Sequence, residues 1–142
     1  MLLLEEQQML QESVGKFISQ DYDWDSRQAL AKSATGFSAQ HWQLFAELGW
    51  LTIPFREIDG GFGGSAVDLV VTMEEFGKGL VVEPYLSTVI MAGSVIEAGG
   101  TSAHREGVLA EIMAGTKLAS LAYVEPQARF NLADVTTTAK VE

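Results

Sequence analysis

The stretch SAVDLVVTMEEFGKGL, residues 65–80, decides the fold class of this chain. Its largest apolar residues recur at intervals of four, three and four, the spacing of one helix face: Leu69, Met73, Phe76 and Leu80. Ser65 precedes the pattern and suits a helix N-cap, because its hydroxyl can accept a hydrogen bond from the first turn. The stretch therefore predicts an amphipathic helix that packs in a helical bundle.

The same periodicity predicts three helices upstream. The first covers residues 3 to about 20, and a weaker second covers 24 to about 32. The third begins at the N-cap Ser38 and ends at Gly49. The apolar faces of the first and third comprise Leu3, Leu10, Val14, Phe17 and Ile18, and Trp42, Phe45 and Leu48. Residues 50–54 are then predicted to be extended.

Two more helices are predicted downstream. Pro84 suits the first turn of the fifth, which continues through about Ala98. The sixth opens at Thr101 or Ser102 and ends before Gly115. Its inner face comprises Val108, Leu109, Ile112 and Met113. Gly93 is unusual inside the fifth helix, since an interior Gly costs about 1 kcal/mol relative to Ala. It indicates the close approach of another helix or of an apolar ligand.

The pattern changes after the sixth helix. Residues 118–124 are a short apolar run, and residues 135–141 alternate in the manner of a strand. Two strands without partners are not independently stable, and the pattern continues to Glu142 without a turn, so a truncated chain is expected. The fold class is expected to be mainly α, with about six helices in a domain of residues 1–116. Residues 117–142 are expected to begin a β-domain.

Composition excludes several classes of function. The chain has 9 basic and 19 acidic residues, a net charge of −10, which disfavours nucleic acid and anionic membranes as partners. It has no cysteine, so disulfides and thiolate metal sites are excluded. A secretory signal and an apolar span of about 20 residues are both missing from the sequence. A cytoplasmic protein is expected.

The glycine-rich segment GGFGGS, residues 60–65, invites a phosphate-loop interpretation, because free amides at a helix start bind anions. No Lys-Ser or Lys-Thr follows it, its spacing differs from the dinucleotide fingerprint, and no βαβ unit surrounds it. A structural turn is therefore predicted.

The acids and histidines form no obvious site. His41 and His104 are predicted to be surface residues without a metal-ligand partner on their helices. Glu74 and Glu75 point in different directions, so at least one is predicted to be solvated, and Glu97 near a helix end is predicted to be solvated too. Nothing assembles a nucleophile, a base and an orienting group. No catalytic residue and no metal site are predicted.

Six short motifs occur in a characteristic order: LGWLTIP at 48–54, DGGFGGS at 59–65, EEFG at 74–77, EPYLST at 83–88, AG at 114–115 and LAYVEP at 121–126. In this order they resemble the N-terminal region of the acyl-CoA dehydrogenase family. The resemblance is to a divergent branch that includes small subunits of two-subunit enzymes, such as that of pimeloyl-CoA dehydrogenase.

The resemblance implies a flavoenzyme of three domains that enclose FAD and an acyl-CoA thioester. In that family a Glu removes the α-proton and the β-hydrogen passes to the flavin as hydride, which leaves a trans-2-enoyl-CoA. The base lies in the C-terminal domain of the family, so this chain is not expected to contain it or to catalyse the reaction alone.

The resemblance also implies site residues. The run before Glu125 matches the flavin-contacting strand, which implies cofactor contacts from Leu121, Tyr123 and Val124. The family often has Thr at the position of Val124. The fifth helix matches part of the acyl-chain wall, which implies substrate contacts from Leu86, Ile90 and Gly93. Where the family commonly has Gly-x-Gly-Ser-Asp, this chain has QARFNLAD, residues 127–134, and Arg129 there is either a phosphate or partner contact or a solvated side chain.

The leading hypothesis is the N-terminal part of a flavin-dependent acyl-CoA dehydrogenase, with acyl-CoA as substrate and a homo- or hetero-oligomer of dehydrogenase subunits as its assembly. A second hypothesis is a non-catalytic scaffold subunit of a two-subunit enzyme. A third is an unrelated helical interaction module.

Overall fold

The computed structural model describes residues 2–140, and within that range it contains six helices and no strand. They are α1 (Glu5–Asp21), α2 (Trp24–Lys32), α3 (Ala39–Glu47), α4 (Ala66–Gly79), α5 and α6. Helix α5 is a π-helix over Leu86–Gly93 and an α-helix over Ser94–Gly99. Helix α6 comprises Ser102–His104, a π-helical segment Arg105–Leu109 and Ala110–Met113. The predicted mainly α fold is confirmed.

An aromatic cluster forms the centre of the bundle. Phe45 of α3 stacks on Phe76 of α4 with ring centroids 5.1 Å apart, and Phe17 of α1 meets Phe45 edge-on at 5.2 Å. Trp50 and Tyr85 complete the cluster and are fully buried. Such pairs add about 0.5–1.5 kcal/mol beyond the burial of their area. The apolar faces predicted for α1, α3 and α4 therefore meet in one core.

Two predicted core residues lie on the surface. Leu48 and Leu80 are exposed, although periodicity placed them on the faces of α3 and α4. Both follow the last residue of their helix, and Leu80 adopts a left-handed conformation with φ of 51°. For Leu80, this left-handed backbone turns the side chain away from the apolar face of α4, whereas Leu48 keeps a right-handed conformation at the end of α3.

The prediction of an extended stretch at 50–54 is wrong. Trp50–Thr52 forms a 3₁₀ turn, and a second 3₁₀ turn covers Glu57–Asp59. Gly49 initiates the first turn with φ of +76°, and the Thr52 hydroxyl donates to the Gly49 carbonyl at 2.7 Å. The stretch is buried as its apolar composition requires, but local hydrogen bonds make it a turn.

The glycine-rich segment is a structural turn, as predicted. The amides of Gly61, Gly63 and Gly64 donate to carbonyls of residues 53–56 at 2.6–2.9 Å. A Cβ on Gly61 would lie 2.1 Å from the Phe55 carbonyl oxygen. The amides that a phosphate would need are therefore already bonded, and only glycine permits this approach of two backbone segments.

No strand forms in residues 117–140, so the predicted strands are absent from the part of the chain that the structure describes. Residues 118–124 form no backbone–backbone hydrogen bond with another described residue, and residues 131–140 are all exposed. A strand is stable only where further strands satisfy its backbone groups. Val141, which ends the predicted alternation, lies outside the described residues.

Candidate functional site

Helix α5 holds the segment that follows α6. The hydroxyl of Thr88 donates to the Ala119 carbonyl at 2.9 Å. The Ala119 amide in turn lies 3.4 Å from the Thr88 hydroxyl oxygen, to which it donates. Thr88 is buried, and Ala119 packs against the core. The run 118–124 is therefore attached to α5 at its second residue, Ala119.

The three predicted flavin contacts lie on this run. Leu121 is half-buried, while Tyr123 and Val124 are exposed, Tyr123 by 52%. No residue of 120–124 forms a hydrogen bond with another described residue. Free backbone groups beside apolar side chains suit a flat heteroaromatic ring, which has apolar faces and a polar edge. The backbone groups of this run are thus open to a ligand, and the three flavin contacts stay a prediction.

The predicted acyl-chain residues differ in their surroundings. Leu86 is exposed, Ile90 is partly buried against the core, and Gly93 is buried. A Cβ on Gly93 would lie 2.5 Å from the ring of Phe55. The close approach at Gly93 therefore comes from a side chain in the α3–α4 connection, not from another helix. Its lack of a side chain is explained without a ligand.

The π-helical form of α5 and the role of Thr88 were not predicted. A π-helix has i→i+5 hydrogen bonds, is rare, and is frequently found at functional sites in proteins. Nothing in local periodicity distinguishes it from an α-helix. The usable signal for Thr88 was a hydroxyl among large apolar neighbours, because a buried hydroxyl needs a partner.

Residues 125–137 form a closed loop where the family commonly has Gly-x-Gly-Ser-Asp. The Glu125 carboxylate accepts from the Thr136 hydroxyl at 2.5 Å, from the Thr137 amide at 3.0 Å, and from the side chain of Gln127. These hydrogen bonds, that from Thr136 foremost, hold the pKa of Glu125 well below its usual range. Phe130 stands fully exposed in the loop, at 100%.

A buried polar cluster corrects the prediction for His41. Glu83 is buried, and the Tyr22 hydroxyl donates to it at 2.8 Å. The His41 Nδ1 atom lies 3.3 Å from the other Glu83 oxygen, and its ring packs on Phe17 at 5.3 Å. His41 is thus half-buried and has a carboxylate partner from a distant segment. His104 is exposed, as predicted.

The remaining acids tie elements of the bundle together. Glu74 is exposed, which confirms that at least one of the pair is solvated. Glu75 is buried and accepts from Gln11 of α1 at 3.0 Å and from Lys78 at 2.5 Å. The bond to Glu75 raises the pKa of Lys78. Glu97, predicted to be solvated, accepts from the Arg56 amide at 2.7 Å.

One cleft borders the glycine-rich segment and another lies beside the 3₁₀ turn Glu57–Asp59, and the predicted site residues line neither of them. A groove of about 570 Å³ lies between α1 and this segment, with Met9, Trp50 and Phe62 among its walls. A cleft of about 400 Å³ is lined by Arg56 and Arg105, and both of these are paired with Asp59.

Residues 2–140 contain no group of three or more His, Asp or Glu side chains arranged to hold a metal ion. Nor does any helix in this range have the length and apolar character needed to cross a membrane.

Comparisons with family models and with curated proteins agree on one family. A model of the N-terminal domain of acyl-CoA dehydrogenases matches residues 4–116. The chain is 33% identical over 129 residues to the probable acyl-CoA dehydrogenase YngJ of Bacillus subtilis, which covers 89% of this chain and 33% of that protein. It is 28% identical over 120 residues to acyl-CoA dehydrogenase IpdE2 of Mycolicibacterium smegmatis, covering 84% of this chain and 37% of that protein.

The fold also matches solved structures. The crystal structure of the ChsE4-ChsE5 complex from Mycobacterium tuberculosis aligns with a TM-score of 0.76 at 21% identity, over 84% of this chain and 33% of that chain. At this identity the likeness concerns the fold. The chain spans about a third of the length of the curated relatives named above.

Proposed function

Because this chain belongs to the acyl-CoA dehydrogenase family, we propose that it forms the N-terminal helical domain of an enzyme that oxidises acyl-CoA thioesters between the α and β carbons. The family is one of flavoenzymes, and FAD would accept the hydride in the reaction. In this proposal residues 1–116 are the helical domain and residues 117–142 begin the β-domain. The observation that carries it is the run 120–124, which is exposed apart from Leu121, has no hydrogen bond to another described residue, and follows the Thr88 contact on a family-matched bundle.

The residues of this chain would bind and orient rather than transfer protons. Leu86 and Ile90 on α5 would line the acyl chain, and Gly93 would act only through Phe55. Leu121, Tyr123 and Val124 would cover the flavin and exclude water from it. Glu75 and Glu83 are already bonded inside the bundle, which agrees with a catalytic base supplied from outside this chain.

A second candidate is a scaffold subunit that holds a flavin-bearing partner without binding flavin itself. Two observations favour it. Val124 offers no hydroxyl to the cofactor, and the loop 125–137 is closed by its own Glu125. ChsE4-ChsE5 is a complex of two different chains, which is the kind of assembly this candidate requires.

The test uses the assembly that purifies through an affinity tag on this chain from its own cells, called here the tagged assembly. We expect it to be yellow and to convert an acyl-CoA to the enoyl-CoA. Replacing Tyr123 with Leu is expected to raise flavin fluorescence several-fold, because an aromatic ring beside a flavin quenches it.

The control replaces Trp24 of α2, an aromatic residue of similar exposure at 58%, with Leu and is expected to leave the fluorescence unchanged. A colourless tagged assembly would overturn both candidates. Flavin at one equivalent per two different subunits, with no response to the Tyr123 change, would replace the first candidate with the scaffold.

A further inference from the structure

We propose that Thr88 is a positioning residue, which sets the distance between the acyl-chain wall on α5 and the flavin-facing run 118–124. The inference rests on the proposed function, since it assumes that α5 and this run face the two ligands. In this role the Thr88 hydroxyl acts by holding the run, and it needs no contact with substrate or flavin.

The first observation is that Ala119 is the sole hydrogen-bonded residue of this run. Among residues 118–124, only Ala119 forms hydrogen bonds with other described residues, and both of them involve the Thr88 hydroxyl oxygen. The residues on either side, 118 and 120, are exposed. Thr88 is therefore the one described side chain that hydrogen-bonds this run to the bundle.

The second observation is the place of Thr88 on its helix. It lies between Leu86 and Ile90 in the π-helical segment Leu86–Gly93. The Phe55 ring occupies the space beside Gly93 at the end of this segment. The π-helical segment is thus packed against Phe55 at its C-terminal end and bonded to the run 118–124 nearer its N-terminal end. A shift of the run would therefore change its position relative to the acyl-chain wall on α5.

The chemistry favours a hydroxyl at this position. A part-buried carbonyl without a partner is unfavourable, so removal of the hydroxyl would leave the Ala119 carbonyl either unpaired or displaced into solvent. Displacement is open to this run, because residues 120–124 form no hydrogen bond with another described residue and all but Leu121 are exposed. Loss of the hydroxyl should therefore move the run more than it unfolds the bundle.

The variants are Thr88→Val, which keeps the shape and removes the hydroxyl, and Thr88→Ser, which keeps the hydroxyl. Thr72→Val is the matched control. Thr72 is as buried as Thr88, at 0% against 1% exposed, but its hydroxyl donates to the Asp68 carbonyl of its own helix at 2.9 Å. Both Val variants lose a buried threonine hydroxyl, and only one loses a contact with the run.

The first measurement is amide hydrogen exchange of Ala119 in the full chain, with no ligand present. Thr88→Val is expected to speed this exchange about tenfold, as the loss of one ordinary hydrogen bond would. Thr88→Ser and Thr72→Val are expected to keep it near the wild-type rate. Equal exchange in Thr88→Val and wild type would overturn the anchoring role, whatever the function of the protein.

The second measurement is the flavin absorbance spectrum and the KM and kcat for an acyl-CoA in the tagged assembly. Thr88→Val is expected to shift the spectrum and to lower kcat about tenfold or more, since small misplacements of reacting groups carry large rate penalties. Thr88→Ser should restore both, and Thr72→Val should leave the spectrum unchanged. A wild-type assembly without flavin would overturn the proposed function. A flavin-bearing assembly with an unshifted Thr88→Val spectrum would overturn this inference alone.

Discussion

Gly93 and Gly77 are both interior glycines of helices, but their surroundings differ completely. A Cβ on Gly93 would lie 2.5 Å from the Phe55 ring, whereas a Cβ on Gly77 of α4 would meet nothing within 4 Å. Overpacking of a filled core costs about 1–3 kcal/mol. An added methyl group in open space on a helix gains up to about 1 kcal/mol, because it restricts the unfolded chain.

We therefore predict that Gly93→Ala lowers the free energy of unfolding by about 1–3 kcal/mol. Gly77→Ala, the matched control, should leave it unchanged or raise it. Urea denaturation of the two variants and of wild type measures both effects. A Gly93→Ala variant as stable as Gly77→Ala would mean that Phe55 does not occupy this space in solution.

Two tyrosines connect stability with pH. Burial raises the pKa of Tyr85, and burial together with its bond to Glu83 raises the pKa of Tyr22. A raised pKa means that the folded state favours the neutral phenol. The stability that this provides is complete below the unfolded pKa of about 10 and is lost as pH rises towards the folded value.

We predict that the free energy of unfolding falls above about pH 10, and that the phenolates of Tyr22 and Tyr85 form only beyond this point. Absorbance titration of tyrosinate and urea unfolding at the same pH values measure the two effects. Tyr22→Phe should reduce the fall. Ionisation of both residues near pH 10 in a folded chain would contradict the buried geometry.

At the scale of elements, α4 has a reciprocal cap that the sequence motif predicts in part. The Val67 amide donates to the Ser65 hydroxyl at 3.2 Å, and the Ser65 amide donates to Asp68 at 2.7 Å. Burial opposes ionisation of Asp68, but the hydrogen bonds from Ser65 outweigh it and leave the pKa of Asp68 lowered. The cap therefore stabilises α4 above the unfolded pKa of about 3.9, and its contribution fades as pH falls further.

Ser65→Ala is predicted to cost about 1 kcal/mol of stability at neutral pH, the usual value for loss of an N-cap. The difference from wild type should begin to shrink below about pH 4, the unfolded pKa of an Asp, and should shrink further as pH falls through the lowered pKa of Asp68. Thermal unfolding at several pH values measures it. Asp68→Asn is expected to remove most of this pH dependence, and a constant difference between wild type and Ser65→Ala would show that Asp68 takes no part in the cap.

The features predicted from sequence are those with local causes. Helix periodicity and the caps Ser38, Ser65 and Thr101 involve residues within a few positions of one another, and all three caps form. The interior contacts that the sequence did not predict join segments that are distant along the chain. Glu83 reaches His41 across 42 residues, and Thr88 reaches Ala119 across 31. No local spacing encodes such contacts, so the partner of His41 and the anchor of the candidate site were not predicted.

At the scale of the whole molecule, the apolar surface is unevenly distributed. The six helices bury the aromatic cluster, yet the segment after them exposes its large apolar residues: Leu118, Tyr123, Val124, Phe130, Leu132 and Val135. A net charge of −10 keeps such chains apart, but it gives no partner to these side chains. In the proposed function, the rest of the β-domain would cover them.

Phe130 provides the sharpest test of this view, because it is 100% exposed and follows Arg129, a residue held at a left-handed φ of 52°. The Glu125 bonds hold both ends of its loop, so a change at the tip should leave the bundle unaffected. We predict that Phe130→Ser has little effect on the unfolding of the chain but reduces severalfold the flavin-bearing protein recovered in the tagged assembly. Burying a Phe side chain is worth about 1.5–3 kcal/mol, which corresponds to roughly tenfold or more in an association constant.

Ile58→Ser is the control, since Ile58 is 87% exposed and lies in a turn of the α3–α4 connection, away from this loop. Equal recovery with both variants would mean that the loop tip remains in water, and the covering domain would then have to contact this chain elsewhere.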